Sequence, residues 1–131
     1  MLRTKSILAP RESFDGVRIS VMSRHTLNDG ITPHPQITDS NYILWLQILA
    51  PPIKLVGDYY KRNLPWEQFA EKYLQYIRQG DAKREVQSLA ERSLHHNITF
   101  LCIEDSPENC HRRLLAEECK RYEPSLALSI L

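Results

Sequence analysis

Seven consecutive residues near the end of the chain constrain its fold most. The segment "ITFLCIE", residues 98–104, is β-branched, aromatic and almost wholly apolar, without alternation of apolar and polar side chains. A strand with one face in water alternates, whereas a strand covered on both faces does not. The segment therefore predicts a strand at the centre of a sheet that is flanked by helices.

Two further strands are predicted near the start of the chain. The segments "LRTKSILA" (residues 2–9) and "VRISVMS" (residues 17–23) are short and rich in Ile and Val, and Asp15-Gly16 between them is a turn signal. Residues 25–41 contain several turn-prone dipeptides among polar side chains. They predict a long irregular loop, a kind of segment that often carries function.

Apolar residues at spacings of three and four predict three helices between that loop and the buried strand. Asp39 or Ser40 suits the N-cap of the first helix, Pro65 the first turn of the second, and Asp81 the N-cap of the third. The three predicted helices cover residues 40–49, 65–79 and 81–97.

A fourth helix is predicted directly after the buried strand, over residues 107–122. Ser106 is a good N-cap and Pro107 suits the first helical position. The resulting order, β-β-α-α-α-β-α, predicts an α/β fold in layers, with a small, mostly parallel sheet flanked by helices. Whether residues 126–131 add another strand is open at this stage.

The bulk composition predicts one soluble domain spanning residues 1–131. The chain has 131 residues, 42% of them hydrophobic, and a net charge of +1 from 17 basic and 16 acidic side chains. No global field therefore draws it to nucleic acid or to an anionic membrane. No apolar run approaches the roughly 20 residues of a bilayer-spanning helix. Three cysteines crowded into the last third make a poor disulfide framework, which predicts a cytoplasmic protein with reduced thiols.

A candidate site follows from "LCIEDSPENCHRR", residues 101–113. Ligands of open α/β sheets bind beyond the carboxyl ends of parallel strands. If the second strand and the buried strand are parallel neighbours, Arg24 emerges beside the start of the last helix. A helix N-terminus attracts anions, and arginines add bidentate donors. We therefore predict an anion pocket with Arg24, Asp105 and Arg112 as ligand-binding residues.

Three side chains of the same region are candidates for catalysis, namely Glu104, Cys110 and His111. A thiol at a helix start beside a histidine can act as a nucleophile, but Cys110 also has the spacing of a small buried core residue. Glu104 can be a catalytic carboxylate or the structural partner of Arg24, and His111 a proton donor or a residue bonded to backbone. Arg112 and Arg24 can equally serve surface ion pairs.

Metal binding is not predicted. The cysteines lack the C-x₂₋₄-C spacing of zinc sites, and His95-His96 lies at the end of a helix. No cofactor is predicted either. The aromatic residues from Trp66 to Tyr76 have the spacing of a core rather than that of a nucleic-acid stacking surface.

The segment "LCIEDSPENCHRRLLAEE" resembles the late signature of the domain of unknown function 488 (DUF488) family, namely a strand, an acid, a Pro and a Cys-His-Arg triplet. The segments from Asp15 to Arg24, "LAPPIKL" and "WEQFAEKYLQYI" are similar to shorter members of that family. Met22-Ser23 stands where the family usually has an acid before the arginine. The resemblance implies an α/β fold and no particular reaction.

The expected function is binding of a phosphate-bearing ligand, a nucleotide or a nucleic-acid backbone, at the N-terminus of the last helix. Whether the protein is also an enzyme acting on that ligand is left open. The alternative is a non-catalytic structural or protein-interaction domain in which Cys110, His111 and Arg112 anchor the last helix to the sheet. Oligomeric state and protein partners do not follow from the sequence.

Overall fold

The computed structural model describes residues 1–131 and contains one five-stranded sheet in the order β3-β2-β4-β1-β5, with every pairing parallel. The strands are β1 (Leu2–Ser6), β2 (Val17–Ser20), β3 (Leu44–Trp45), β4 (Ile98–Cys102) and β5 (Leu128–Ile130). The helices are α1 (Ile53–Lys61), α2 (Trp66–Ile77), α3 (Gly80–Ser93) and α4 (His111–Tyr122).

Strand β4 is the central strand, as its continuous apolar character predicts. All five of its residues are buried, and it pairs with β1 on one side and with β2 on the other. The two strands predicted at the start of the chain are thus confirmed, and β2 and β4 are parallel neighbours. Each of the three strands is two to three residues shorter than predicted, although Ile7 N and Val21 N, just beyond the ends of β1 and β2, still donate to Cys102 O and Leu101 O of β4.

The main hydrophobic core lies on the sheet face that carries Ile98 and Phe100. Helices α2, α3 and α4 contribute Tyr73, Val86 and Leu115 to it, among others. These helices have the apolar spacing that predicted them. The layered α/β architecture is therefore confirmed.

The opposite face is covered by the segment between β1 and β2. Arg18 and Lys5 each form an ion pair with the carboxylate of Asp15, both at 2.7 Å. The Arg18 guanidinium also donates to the carbonyl oxygens of Asn41 and Ala9. Buried charges require such partners, so this network fixes the loops on the sheet.

The predicted helix over residues 40–49 is wrong. Its middle forms the edge strand β3, and Gln47–Leu49 is a single 3-10 turn. The amide of Ile43 donates to Arg18 O at 2.8 Å, and that of Leu46 donates to Ser20 O at 3.0 Å. Strand β2 offers an unpaired edge to these residues, and pairing along that edge prevails over their helical spacing.

The structure also revises the start of the last helix, adds a helix that was not predicted and answers the question left open about the last residues. The last helix begins at His111, because Cys110 is the extended N-cap and Ser106 Oγ accepts from Glu108 N inside a turn. Helix α1 was not predicted; Pro52 is its N-cap. Residues Leu128–Ile130 do form a strand, which pairs with β1.

None of the four helices has the combination of length and apolar character that crossing a bilayer requires.

Candidate functional site

A cleft of about 310 Å³ opens at the carboxyl ends of β2 and β4. One wall is the loop after β2, and the opposite wall is α1 with the start of α2. The floor is formed by the end of β4 and the residues before α4. Of the predicted site residues, the cleft is lined by Arg24, Glu104, Cys110 and His111.

The floor of the cleft holds two thiols and an imidazole in contact. Cys102 ends β4, Cys110 precedes α4, and His111 is the first residue of that helix. All three residues are buried, and the two Sγ atoms and a ring nitrogen of His111 lie within 4.8 Å of one another. Strand β4 and helix α4 therefore bring together residues that no short motif connects.

The backbone fixes the orientation of the imidazole of His111. Its Nε2 lies 2.7 Å from Val21 O, and a carbonyl oxygen only accepts, so Nε2 carries the proton and donates. Nδ1 then presents its lone pair to Cys102 Sγ, 3.8 Å away. The backbone thus holds the imidazole in place, with Nδ1 facing the sulfur of Cys102.

The two thiols of the floor differ in acidity. A hydrogen bond from Cys110 lowers the pKa of Cys102, with help from the nearby Arg112 guanidinium. The same hydrogen bond, together with burial, raises the pKa of Cys110 well above its usual range. Cys119 lies apart from both, and burial raises its pKa to about 12.

Arg112 does not reach the cleft. Its side chain is fully buried, and Nη1 donates to Glu104 O at 2.7 Å and to Cys110 Sγ at 3.4 Å. Nη2 donates to Leu131 O at 3.1 Å. The guanidinium ties α4 to the ends of β4 and β5, and as placed it offers no donor to a ligand in the cleft.

Glu104 and Asp105 have different surroundings. The hydroxyl of Tyr60 donates to Glu104 Oε1 at 2.5 Å across the cleft, and burial together with this carboxylate raises the pKa of Tyr60. Glu104 is thus paired with Tyr60 and not with Arg24, the partner considered from the sequence. Asp105 is exposed and does not line the cleft.

Two basic side chains lie at the rim of the cleft. Arg24 is exposed, and its Nη1 donates to Gly30 O at 3.0 Å within the loop after β2. Lys61, the last residue of α1, is also exposed and lines the cleft. Arg24 thus lies at the cleft, as predicted, and Lys61 is a second basic side chain there that the sequence did not indicate.

The aromatic wall is the main feature that the sequence did not predict. The rings of Tyr59 and Tyr60 from α1, and of Trp66 and Phe69 from α2, line the cleft. Tyr59 and Phe69 lie 4.9 Å apart between ring centroids, and Trp66 stacks on Phe69 at 5.3 Å. The spacing of the α2 rings predicted that they are part of the hydrophobic core. Phe69 is in the core, and Trp66 is partly buried against it. The helix-starting prolines before Ile53 were the available signal for α1.

His25 lies outside the cleft, although it follows Arg24. It stacks on Trp45 with 3.7 Å between ring centroids, and its Nε2 is 2.7 Å from Ser20 Oγ. Burial lowers its pKa. The ring packs the loop after β2 onto the edge strand.

Comparison with protein families identifies the family of this chain. The family model described as the active DUF488-N3 subclade matches residues 2–123. No curated protein and no solved structure matches the chain.

Proposed function

The chain belongs to the DUF488 family, and on that premise we propose that its cleft binds a phosphate-bearing ligand of the nucleotide class. The observation that carries the proposal is the presence of an aromatic wall and two exposed basic side chains around one cavity. The cavity lies at the carboxyl edge of a parallel sheet, where α/β proteins commonly bind nucleotides.

Each part of a nucleotide has a counterpart in the cleft. The faces of Tyr59 and Trp66 suit stacking with a planar base, and such stacking contributes about 1–3 kcal/mol per base. Arg24 and Lys61 suit the phosphate at the rim, where a guanidinium can donate two hydrogen bonds. Asn28 and Asn109 line the same space and supply amide donors and acceptors for the sugar or the base edge.

The anion position in this proposal differs from the sequence-based expectation. Because Arg112 is buried against carbonyl oxygens, the phosphate is assigned to the rim near Arg24 rather than to the start of α4. Chemistry on the ligand would use the polar groups of the floor. Glu104, held by Tyr60, is the carboxylate best placed to hold or accept a proton. A reducing cytoplasm would keep Cys102 and Cys110 as thiols.

A thermal-shift screen followed by calorimetric titration tests the proposal. The probes are inorganic phosphate, ribose 5-phosphate, nucleoside mono-, di- and triphosphates, and a short single-stranded oligonucleotide. We expect a nucleotide to raise Tm by several degrees at about 100 times its Kd, and to bind more tightly than phosphate or ribose 5-phosphate, which lack a base.

The double variant Arg24→Ala/Lys61→Ala is expected to bind the best probe at least about tenfold more weakly, because each charge contact with phosphate is worth more than about 1 kcal/mol. Arg92→Ala, which removes an exposed charge far from the cleft, is the matched control and should bind normally. If no phosphate-bearing probe shifts Tm, or if the control loses as much affinity as the double variant, the proposal fails.

A second candidate is a non-catalytic domain in which the Cys-His-Arg segment is an anchor. The contacts of His111 with Val21 O and of Arg112 with Leu131 O favour it, because both fasten α4 to the sheet. This candidate predicts that none of the small-molecule probes binds in the cleft. The titration above therefore separates the two candidates.

A further inference from the structure

We propose that Cys102, Cys110 and His111 form a binding site for a thiophilic divalent metal ion, Zn²⁺ in the first place, with one coordination position open to the cleft. The inference stands independently of the nucleotide ligand. It concerns the floor of the cleft, whereas the nucleotide proposal concerns its rim and its aromatic wall.

The three donor atoms have nearly the separation that a metal ion needs. Both Sγ atoms and the imidazole nitrogen lie within 4.8 Å of one another. Bonds of about 2.3 Å to sulfur and about 2.0–2.1 Å to nitrogen in a tetrahedron place donor atoms roughly 3.5–3.8 Å apart. Shifts of about 1 Å, within the reach of side-chain rotation, therefore bring the donors to bonding distance.

His111 is already in the tautomer that a metal requires. Its Nε2–H donates to Val21 O at 2.7 Å, which leaves the Nδ1 lone pair directed at the sulfur atoms. Metal-binding histidines nearly always donate their second ring N–H to a carbonyl or carboxylate in this way. The same nitrogen lies 3.8 Å from Cys102 Sγ, a contact that a shared metal ion would replace.

The surroundings also suit the charge of such a centre. Two thiolates neutralise a divalent cation, so the centre itself is uncharged. Arg112 Nη1 lies 3.4 Å from Cys110 Sγ and can donate a hydrogen bond to a thiolate that is bound to metal. The carbonyl oxygens of Glu104 and Leu131 hold the Arg112 guanidinium in place. The guanidinium can therefore orient the Cys110 sulfur without itself binding the metal.

The donor set is incomplete on the side of the cleft. All three donors line the cavity, and the group of mutually close donors contains no fourth side chain. Zinc sites with three protein ligands keep their fourth position for water or substrate, whereas structural zinc sites are closed by four protein ligands. The cleft would thus present the open position of the metal to whatever ligand it holds.

Cobalt substitution tests the site directly. The reduced, metal-free protein is titrated with Co²⁺, and we expect the absorption of a tetrahedral Co²⁺–thiolate centre to saturate at one ion per chain. Zn²⁺ should displace the cobalt and abolish the absorption. Elemental analysis of protein purified from zinc-supplemented cells should give about one zinc per chain.

Variants of the three proposed ligands, with one control, test which residues bind the metal. Cys102→Ser, Cys110→Ser and His111→Gln should each weaken metal binding by at least about tenfold, whereas Cys119→Ser, which changes the third buried cysteine, should bind normally. If a variant does not fold, the wild-type cobalt spectrum still decides. Absence of thiolate–cobalt absorption in the reduced wild type, or equal loss of binding in the Cys119→Ser control, would overturn the proposal.

Failure of this proposal and failure of the nucleotide proposal are distinguishable. The metal site is read out by cobalt absorption and zinc content, and the nucleotide site by calorimetry with the rim variant Arg24→Ala/Lys61→Ala. That variant should retain its metal, since neither residue belongs to the donor set.

Discussion

Arg112 shows how a single residue can be assigned to the wrong task from its position in the chain. Its place near a helix start, two residues after a cysteine, indicates an anion-binding donor. In the structure the side chain is fully buried and joins Glu104 O to Leu131 O. A sequence shows which charges lie near a helix start but not which way they point, because burial depends on how the final strand packs.

Arg112→Ala is therefore expected to lower the free energy of unfolding by about 3 kcal/mol, because a fully buried side chain and its two charge-assisted hydrogen bonds to carbonyl oxygens are removed. Urea unfolding at neutral pH measures the change. The surface variant Arg92→Ala should change stability by less than about 0.5 kcal/mol. Equal stability of Arg112→Ala and the wild type would show that the carbonyl groups find other partners.

At the scale of elements, the turn before β2 depends on a glycine. Gly16 has φ +63°, and a Cβ there would lie 1.9 Å from Asn97 O, the carbonyl that accepts from Val17 N. The start of β2 thus lies against the residue that precedes β4. The close approach requires a residue without a side chain at this position.

Gly16→Ala and Gly80→Ala compare a positive-φ glycine that is in close contact with backbone with one that is not; Gly16 also has ψ −129°, which adds to the strain of a side chain there. Gly80 has a similar φ of +57°, but a Cβ there would meet nothing within 4 Å. Gly80→Ala should therefore cost only the strain of the left-handed conformation, about 1–2 kcal/mol. Gly16→Ala should cost at least about 3 kcal/mol in urea unfolding, because backbone must also move. Similar losses in both variants would contradict the role of the Asn97 contact.

The elements that the sequence predicted well carry their own signal. Strand β4 is continuously apolar, and α2 and α3 have apolar residues at helical spacing with interior contacts to match. Residues 44–45 carry no local sequence pattern that predicts a strand. They form a strand because they pair with the free edge of β2. That pairing depends on a distant part of the chain, so the residues around 44–45 do not indicate it.

At the scale of the whole molecule, acid stability depends on two buried carboxylates. Glu118 on α4 accepts bidentate hydrogen bonds from Arg78 and from Arg121, which outweigh burial and hold its pKa at about 2. For Asp15, burial acts to raise the pKa, but hydrogen bonds from Lys5, Glu12 N and Arg18 lower it below the usual range.

Since both folded-state pKa values are depressed, the stabilisation is complete above the unfolded pKa values near 4 and is lost as pH falls towards about 2. Glu118→Gln should therefore show a smaller loss of stability than the wild type between about pH 5 and pH 2.5, by about 2 kcal/mol. Glu117→Gln, which alters the exposed neighbour, is the control and should follow the wild type. An unchanged acid dependence in Glu118→Gln would contradict the argument.

The location of the candidate cleft was predictable from the sequence, and its composition only in part: Arg24, Glu104, Cys110 and His111 line it, whereas Asp105 and Arg112 do not. Parallel pairing of β2 and β4 follows from general rules for α/β sheets, and it placed Arg24 near Cys110 and His111. The aromatic wall depends on how α1 folds back over the sheet edge. The grouping of Cys102 with Cys110 spans a loop between them that no zinc motif describes.

The strand order β3-β2-β4-β1-β5 has a consequence for synthesis on the ribosome. The first two strands are made early but are never neighbours, because the strand between them comes about eighty residues later. Until β4, which ends at Cys102, has left the ribosome, β1 and β2 lack the strand that lies between them in the folded sheet. The sheet can therefore be completed only after most of the chain has been made, by insertion of its central strand, and pairing between residues so far apart in sequence slows folding.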